Sequence, residues 1–235
     1  MHCLLCDDVV SALPSWFSFF IEQDKRAVCT YCEQKFSYII GDICADCGRS
    51  FQCLADEYKK GEYCQDCLRW RQDPYFQHVY VKNRSVYVYN DWMKEVLARF
   101  KFRGDAALVQ IFASAFANTF RQYFPHCNCI VPIPLSLPRQ YERGFNQAEL
   151  LAACLSIPVM KTSLMRSDAE KQSKKTRAER LRRSRSFYFA AEESFHGKNI
   201  VLIDDVYTTG ITVRQAAQCF YERGAKNVSS LTLCR

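Results

Sequence analysis

No apolar run in this sequence is long enough to cross a lipid bilayer. The longest early stretch, Leu13–Ile21, is interrupted by Pro14 and by serines, and it falls well short of the ~20 residues that a transmembrane helix needs. A basic segment followed by an apolar segment and a cleavage-like site is also missing, which argues against a secretory signal. We therefore expect a cytoplasmic protein with no direct membrane insertion.

Histidine is scarce as well. None of the four histidines has a candidate partner beside it in the sequence, so no role is assigned to them. With 49% hydrophobic and 24% charged residues, the composition is ordinary for a soluble protein and excludes a disordered or fibrous chain. A chain of 235 residues can form one domain of usual size and a smaller appendage.

Cysteine, by contrast, is abundant. Because the cytosol keeps thiols reduced, the 14 cysteines are interpreted first as metal ligands or buried side chains. A Cys-x-x-Cys turn supplies two thiolates for a tetrahedral zinc site, and a second turn completes it. Four such turns predict two structural zinc ions, with no coordination position left open for a substrate. The predicted ligands are Cys3, Cys6, Cys29, Cys32, Cys44, Cys47, Cys64 and Cys67.

The pairing of these turns stays open at the level of the sequence. Consecutive pairing would join the first turn to the second and the third to the fourth, whereas interleaved pairing would join the first to the third. Redox dithiols or disulfides are the alternative chemistry, but four motifs without a βαβ pattern around them do not favour it. Cys53 lies outside the pattern and is expected to be a packed thiol.

The organisation of the chain follows from these turns and from the apolar pattern beyond them. Residues 1–72 are expected to form a zinc-binding domain, 73–84 a linker and 85–235 an α/β domain with a parallel sheet, and the polar and aromatic segment Leu68–Phe76 is also typical of a linker. Predicted helices cover Asn90–Phe102, Asp105–Tyr123, Asn146–Leu155 and Thr212–Arg223. Predicted strands cover Ser85–Tyr89, Cys129–Ile133 (followed by a rigid loop), Ile157–Met160, Phe187–Ala190, Asn199–Ile203 and Ser229–Cys234.

The segment Ile200–Thr212 has the order of parts that a phosphosugar site needs. An apolar strand leads to two carboxylates, Asp204 and Asp205, and a turn with hydroxyls and Gly210 then opens a helix. Open α/β sheets bind ligands at this end of their strands. The carboxylates can accept hydrogen bonds from sugar hydroxyls, while backbone N–H groups of the turn and the helix N-terminus can hold a phosphate.

This segment resembles the signature of type I phosphoribosyltransferases. The resemblance implies that Asp204 and Asp205 hold the 2- and 3-hydroxyls of phosphoribosyl pyrophosphate (PRPP). Both would be catalytic residues if the protein is an active enzyme. It also implies that Mg²⁺ bridges ribose and pyrophosphate oxygens. The implied cradle for the 5-phosphate consists of Thr208, Thr209, Gly210, Ile211 and Thr212.

A second resemblance covers nearly the whole chain. The cysteine pairs, the segments Val131–Ser136 and Arg143–Gln147, a basic stretch and the PRPP loop occur in the order typical of the competence protein F family. Members of that family resemble zinc-finger proteins fused to a phosphoribosyltransferase-like domain. The resemblance implies single-stranded DNA as a partner during natural transformation, together with a competence helicase or a DNA-uptake channel protein.

Phosphate-side contacts are implied by the same analogy. Pro134, Leu135 and Ser136 would lie on the pyrophosphate side of the site. The segment Lys161–Arg185, with ten Lys/Arg against three Asp/Glu, would include a loop that closes over it. The basic residues favour phosphate-bearing partners, although a solvated surface is the alternative. The candidate contacts for phosphate or nucleic acid are Arg139, Arg143, Lys174, Lys175 and Arg177.

Three functions are compatible with these motifs. The first is a Mg²⁺-dependent phosphoribosyltransferase with an unidentified acceptor, since no segment that would select a nucleobase is recognisable. The second is a DNA-handling protein that retains the PRPP site, and we favour it. A scaffold for protein partners would leave the PRPP loop without a purpose. In the DNA-handling interpretation, bases could stack on aromatic residues near the basic ones; the alternative is that these aromatic residues belong to the core. The candidates are Trp70, Tyr75, Phe76, Phe187 and Tyr188.

Overall fold

The computed structural model describes residues 2–10, 27–102, 105–160, 162–167 and 186–235. Within these residues, short elements surround the cysteine pairs, and strands and helices follow. In chain order the elements are α1 (Thr30–Glu33), β1 (Lys59–Lys60), β2 (Tyr63–Cys64), α2 (Gln65–Gln72), β3 (Val81–Tyr87), α3 (Asp91–Phe102), α4 (Val109–Tyr123), β4 (Cys129–Pro132), α5 (Leu137–Arg143), α6 (Gln147–Ala153), β5 (Leu164–Arg166), β6 (Phe187–Phe189), β7 (Asn199–Val206), α7 (Ile211–Tyr221) and β8 (Asn227–Cys234).

Four strands form the central sheet in the order β3-β8-β7-β4, and all three neighbouring pairs are parallel. Parallel strands require crossover connections, and such sheets are covered on both faces. In β7, Ile200 and Leu202 belong to the core on one face, whereas Val201 and Ile203 belong to the core on the other. The predicted α/β fold with a parallel sheet is confirmed.

The cysteine pairs assemble consecutively. The sulfur atoms of each group lie within 4.8 Å of one another. The first cysteine group is Cys3, Cys6, Cys29 and Cys32, and the second cysteine group is Cys44, Cys47, Cys64 and Cys67. The pairing that the sequence left open is therefore first turn with second and third with fourth.

The two cysteine groups pack on opposite faces of the sheet. The first group contacts Trp92 and Ile111 of α3 and α4, helices that cover one face together with α6. The second group shares a core with α7 and with Ile200 and Leu202 of β7 on the other face. The cysteine-rich segment therefore packs directly against the sheet.

The same segment covers the edge strand β3. The backbone N–H of Ile39 donates to the carbonyl of Val86 at 2.9 Å, and the N–H of Val88 donates to the carbonyl of Ser37 at 2.8 Å. An exposed strand edge is a template for pairing with another chain. Here the chain between the two cysteine groups occupies hydrogen-bonding groups of that edge.

A helix replaces much of the expected linker Leu68–Phe76. The sequence of α2, QDCLRWRQ, consists mostly of good helix formers, and Trp70 packs against the buried core. The polar and aromatic composition was misleading because only one side of this short helix faces the protein. Strand β3 begins at Val81 rather than at Ser85, since Val81 already pairs with Val228 of β8.

The loop expected after β4 covers residues 133–136, and the helix α5, which was not predicted, follows it. Pro138 lies in its first turn, where proline is tolerated because the N–H there has no partner within the helix. Gly144 ends the helix in the left-handed conformation, with φ 75°. The prolines therefore mark the end of the strand and the start of a helix.

The predicted strand Ile157–Met160 is reduced to a single parallel bridge between Val159 and Ile130. Pro158 removes a ladder donor from this short segment, which limits its pairing. The predicted strand Phe187–Ala190 exists as β6, but it pairs antiparallel with β5, outside the main sheet.

The remaining predicted helices and strands are present and differ only at their ends. The difference that affects the candidate site is in β7, which continues to Val206 and so includes both aspartates. Among the helices in the described part of the chain, none has the length and apolar character that a bilayer crossing requires.

Candidate functional site

Two carboxylates, which we call the acid pair, lie near the carboxyl end of β7. Asp204 Oδ1 accepts a hydrogen bond from the backbone N–H of Asp205 at 2.9 Å. The buried carboxylate of Asp205 forms an ion pair with Lys101 Nζ at 2.7 Å. Helix α3 therefore supplies the counter-charge for one member of the acid pair.

The other member titrates near neutral pH. Burial raises the pKa of Asp204 to about 7, and the negative charge of Asp205 adds to this increase. The backbone hydrogen bond from Asp205 and the positive charges of Lys101 and Arg166 act in the opposite direction. Asp204 can therefore gain or lose a proton within the physiological pH range.

A cavity of about 150 Å³ lies beside the acid pair. Its lining includes four cationic side chains, which outnumber the two carboxylates: Lys101, Arg139, Arg143 and Arg166. Burial and the charges of Arg139 and Arg143 lower the pKa of Arg166, while Asp204 opposes this effect. A surplus of positive charge in an enclosed site favours an anionic ligand.

The segment Arg139–Gln147 brings two of these cations into position. Arg139 and Arg143 are four residues apart on α5, so they lie on the same side of the helix. Arg143 Nη1 donates to Gln147 Oε1 at 2.9 Å. Asn146 caps α6 and donates from Nδ2 to the carbonyl of Ile133 at 3.0 Å. The Asn146 amide thus attaches this segment to the loop after β4.

Of the three residues expected on the pyrophosphate side, one lines the same cavity. Leu135 lines the cavity. Pro134 and Ser136 flank it in the sequence and are half-buried, and Ser136 is the N-cap residue that precedes α5. This loop and the acid pair therefore border the same cavity.

The turn between β7 and α7 presents unused hydrogen-bond donors. Among the described residues, the backbone N–H groups of Thr208, Thr209 and Gly210 have no protein acceptor. Thr212 lines the cavity, while the side chains of Thr208 and Thr209 are exposed and Ile211 packs partly against the core. Successive free N–H groups ahead of a helix form an anion-binding nest.

Glycine is required within this turn for two reasons. Gly210 has φ 82°, in the left-handed region that other residues rarely adopt. A Cβ atom there would overlap the Tyr207 hydroxyl and the Arg214 guanidinium. Arg214 Nη1 donates to the Tyr207 hydroxyl at 2.8 Å, so these two groups lie directly under the turn.

Both cysteine groups have the donor set of a tetrathiolate metal site. Sulfur atoms about 3.8 Å apart surround a tetrahedral zinc ion with the usual bond length of roughly 2.3 Å. Sγ atoms of Cys6 and Cys29 are 3.5 Å apart, and those of Cys47 and Cys64 are 3.6 Å apart. All eight cysteines are free thiols rather than disulfides, so each group could bind zinc. Cys53 is outside both groups and exposed, contrary to the expected packed thiol.

Two residues of the cavity were missed by the sequence analysis. Lys101 lies in the last turn of α3, and no local motif connects it with the acid pair. Arg166 belongs to the basic segment but was not singled out, and it reaches the cavity because β5 pairs with β6. Three other candidates, Lys174, Lys175 and Arg177, lie outside the described residues.

The aromatic candidates for base stacking have different environments. Phe76 and Phe187 are buried in the core and cannot reach a base. Tyr75 and Tyr188 are about half exposed, with 49% and 48% of their surface accessible. Trp70 is half-buried, and its indole N–H donates to the carbonyl of Thr209 at 2.9 Å. Only the two tyrosines retain the exposure that stacking needs.

Comparison with known proteins agrees with this architecture. The family model of the phosphoribosyl transferase domain matches residues 142–235. Competence protein ComFC of Bacillus subtilis (strain 168) is 46% identical over 235 residues, covering 99% of this chain and 94% of that protein. The chain belongs to the competence protein F (ComF) family. The resemblance inferred from the sequence motifs is confirmed.

Other relatives match over different lengths. A second ComF relative, Competence protein ComFC of Streptococcus pneumoniae (strain ATCC BAA-255 / R6), is 31% identical over 236 residues and covers 100% of both chains. DNA utilization protein YhgH of Escherichia coli (strain K12) is 36% identical over 112 residues, or 45% of this chain and 48% of that protein. Similarity to ComF proteins therefore extends through the cysteine-rich segment.

The titration of Asp204 predicts a pH-dependent effect on stability. Its folded-state pKa of about 7 exceeds the value of about 3.9 in an unfolded chain. The stabilisation that comes from its protonated form is complete below pH ~4 and is lost as the pH rises through 7. Asp204→Asn should therefore raise the Tm of the ligand-free protein more at pH 8 than at pH 5.

Differential scanning calorimetry at the two pH values measures this effect. Asp42→Asn, at an exposed aspartate, is the matched control and should leave the pH dependence of Tm unchanged. A Tm change for Asp204→Asn that is equal at both pH values would contradict the assigned burial.

Proposed function

We propose that this protein binds PRPP with Mg²⁺ in the cavity beside the acid pair and handles single-stranded DNA during natural transformation. The observation that carries the proposal is the combination of the acid pair with the free amides of the following turn on one strand end. Few ligands need a hydroxyl acceptor and a phosphate nest so close together, and a ribose 5-phosphate needs both.

The charges around the cavity support a ligand with more than one phosphate. The nest at Thr208–Gly210 would account for one phosphate, and Arg139, Arg143 and Arg166 line the cavity beside the acid pair, where they could contact another. Arginine forks match phosphate oxygens in bidentate fashion. A pyrophosphate on the side of α5 would bring negative charge to Arg166, whose pKa is lowered by burial and by the charges of Arg139 and Arg143.

Mg²⁺ fits this ligand set through its preference for oxygen donors. It is usually held by one or two carboxylates, several waters and the phosphates of the ligand. The acid pair supplies carboxylate oxygens beside the cavity, while Lys101 already neutralises Asp205. We therefore assign the cation to the complex with PRPP and not to a separate protein site.

The DNA-handling role rests on the names of the relatives and on charge. The full-length relatives are named competence proteins, and the partial ones are named DNA utilization proteins. The segment Lys161–Arg185 carries the cationic surplus of the chain, and its residue Arg166 lines the cavity. The exposed Tyr188 is close to its end in sequence and is available for base stacking. A cytoplasmic location and a helicase or channel partner belong to the same proposal.

Zinc is the metal that we propose for both cysteine groups. Four thiolates in a tetrahedron are its usual structural ligands. The four cysteines of the second group are almost completely buried, at 0% to 1% exposure, within the core that supports the sheet. Zinc there would stabilise the fold and would not take part in the chemistry.

PRPP binding is tested by isothermal titration calorimetry. The metal-loaded protein should release or absorb heat with PRPP and Mg²⁺, and Asp205→Asn should weaken binding at least tenfold, or about 1.4 kcal/mol, because a hydroxyl acceptor is lost. Asp42→Asn is the control and should bind as the wild type does. An absence of heat with the wild type would refute the proposed ligand. Pyrophosphate release with an added base, abolished by Asp204→Asn, would favour an active transferase.

DNA binding is tested by its dependence on salt. Affinity for an oligothymidylate should fall between ~50 and 200 mM NaCl, and changing Lys174, Lys175 and Arg177 to Ala should reduce the slope of log K against log salt by about 2, because three contacts of ~0.7 each are lost. The control changes three exposed lysines outside the basic segment, Lys60, Lys94 and Lys226. A salt-independent affinity, or equal slopes for the two variants, would contradict the electrostatic model.

Zinc content tests the metal assignment. The purified protein should contain two zinc ions per chain by mass spectrometry of the metal, and Cys44→Ser should contain one and have a lower Tm, because a buried ligand is lost. Cys53→Ser, at the exposed cysteine outside both groups, should retain two ions and the wild-type Tm. If removal of zinc from the wild-type protein left its Tm unchanged, the thiols would stabilise the fold without metal, and the assignment would be wrong.

A further inference from the structure

Two carbonyl groups of the turn between β7 and α7 accept hydrogen bonds from side chains outside the turn. The indole Nε1 of Trp70 donates to the carbonyl of Thr209 at 2.9 Å. Arg235 Nη1 donates to the carbonyl of Thr208 at 3.2 Å. The two donors come from α2 and from the residue after β8, so both carbonyl groups are fixed by parts of the protein distant in sequence.

The donors are themselves held firmly. The guanidinium of Arg214, a buried residue, lies 4.7 Å from the centre of the Trp70 ring and donates to the Tyr207 hydroxyl. On the α2 side, the Trp70 ring packs edge-on against Phe76, with ring centres 5.4 Å apart. Phe76 belongs to the core that contains the second cysteine group. Trp70 therefore connects that core with the turn.

A fixed carbonyl also fixes the next amide. In a trans peptide the C=O of one residue and the N–H of the next lie in one plane and point in opposite directions. The bond from Trp70 to the Thr209 carbonyl thus orients the N–H of Gly210, and the bond from Arg235 to the Thr208 carbonyl orients the N–H of Thr209. These are two of the N–H groups that have no protein acceptor among the described residues.

We propose that Trp70 is a positioning residue for the phosphate of the bound ligand, acting through the amide of Gly210. The proposal rests on the proposed function of this turn as the phosphate nest. The cysteine-rich segment would then serve the ligand site directly, by keeping one amide of the nest aimed at the phosphate before the ligand arrives. Preorganisation of this kind increases affinity because the ordering cost is met during folding.

Trp70→Phe is the test variant, since it keeps an aromatic ring near Arg214 and removes the indole N–H together with the five-membered part of the ring, a loss of volume that the control variant shares. Affinity for PRPP with Mg²⁺, measured by calorimetry, should fall about two- to tenfold, the effect of one lost hydrogen bond. Zinc content should not change. Trp92→Phe is the matched control, because the Trp92 indole N–H has no hydrogen-bond partner among the described residues.

A second measurement does not depend on the ligand. In the ligand-free protein, the NMR signal of the Gly210 amide should shift in Trp70→Phe, while the Thr209 amide should move less because Arg235 still holds the preceding carbonyl. Trp92→Phe should leave both signals unchanged.

The calorimetry and NMR results together distinguish failure of the proposed PRPP binding from failure of the positioning role of Trp70. If the wild type does not bind PRPP but the Gly210 amide shifts in Trp70→Phe, the proposed function fails and the positioning of the amide stands. If the amide does not shift, or if Trp70→Phe binds PRPP as the wild type does, the positioning role of Trp70 is refuted.

Discussion

The parallel pairing of β4 with β7 is the constraint on which the candidate site depends. It runs in register from Cys129 opposite Ile200 to Pro132 opposite Ile203. Because both strands point the same way, the loop before α5 and the turn before α7 emerge at the same edge of the sheet. Two segments far apart in sequence, one carrying arginines and the other carrying acids and amides, are thereby brought face to face across one cavity.

Charge is distributed unequally within that cavity. Lys101 compensates Asp205, whereas Asp204 stays without a direct ion pair among the described residues and titrates near neutral pH. The positive charges of Arg139 and Arg143 repel that of Arg166. Concentrations of like charge of this kind destabilise a protein and are common at binding sites.

Much of this fold could be predicted from the sequence, because its signals are local. A run of four apolar residues before two aspartates indicates a buried parallel strand and its end, and four Cys-x-x-Cys turns indicate two metal sites. The contributions of Lys101 and Trp70 could not be predicted. Each acts through a partner more than a hundred residues away, Asp205 and Thr209 respectively, and nothing in its local sequence marks it.

Proline and composition caused the remaining differences. Pro132 and Pro134 correctly indicated a loop after β4, but the helix that follows was not predicted, because Pro138 fits the first turn of a helix as well as it fits a loop. A short helix such as α2 has too few turns for an apolar period to stand out from its charged residues. In both places the tertiary contacts, rather than the local pattern, decide the conformation.

The chain that lies along β3 has a consequence for association between molecules. A four-stranded sheet has two edges, and each can in principle recruit a strand from another copy. On the β3 side, the bonds from Ile39 and to Ser37 use backbone groups that such a strand would need. Growth of the sheet by strand addition is therefore blocked on that side, and a partner that docks there must recognise side chains.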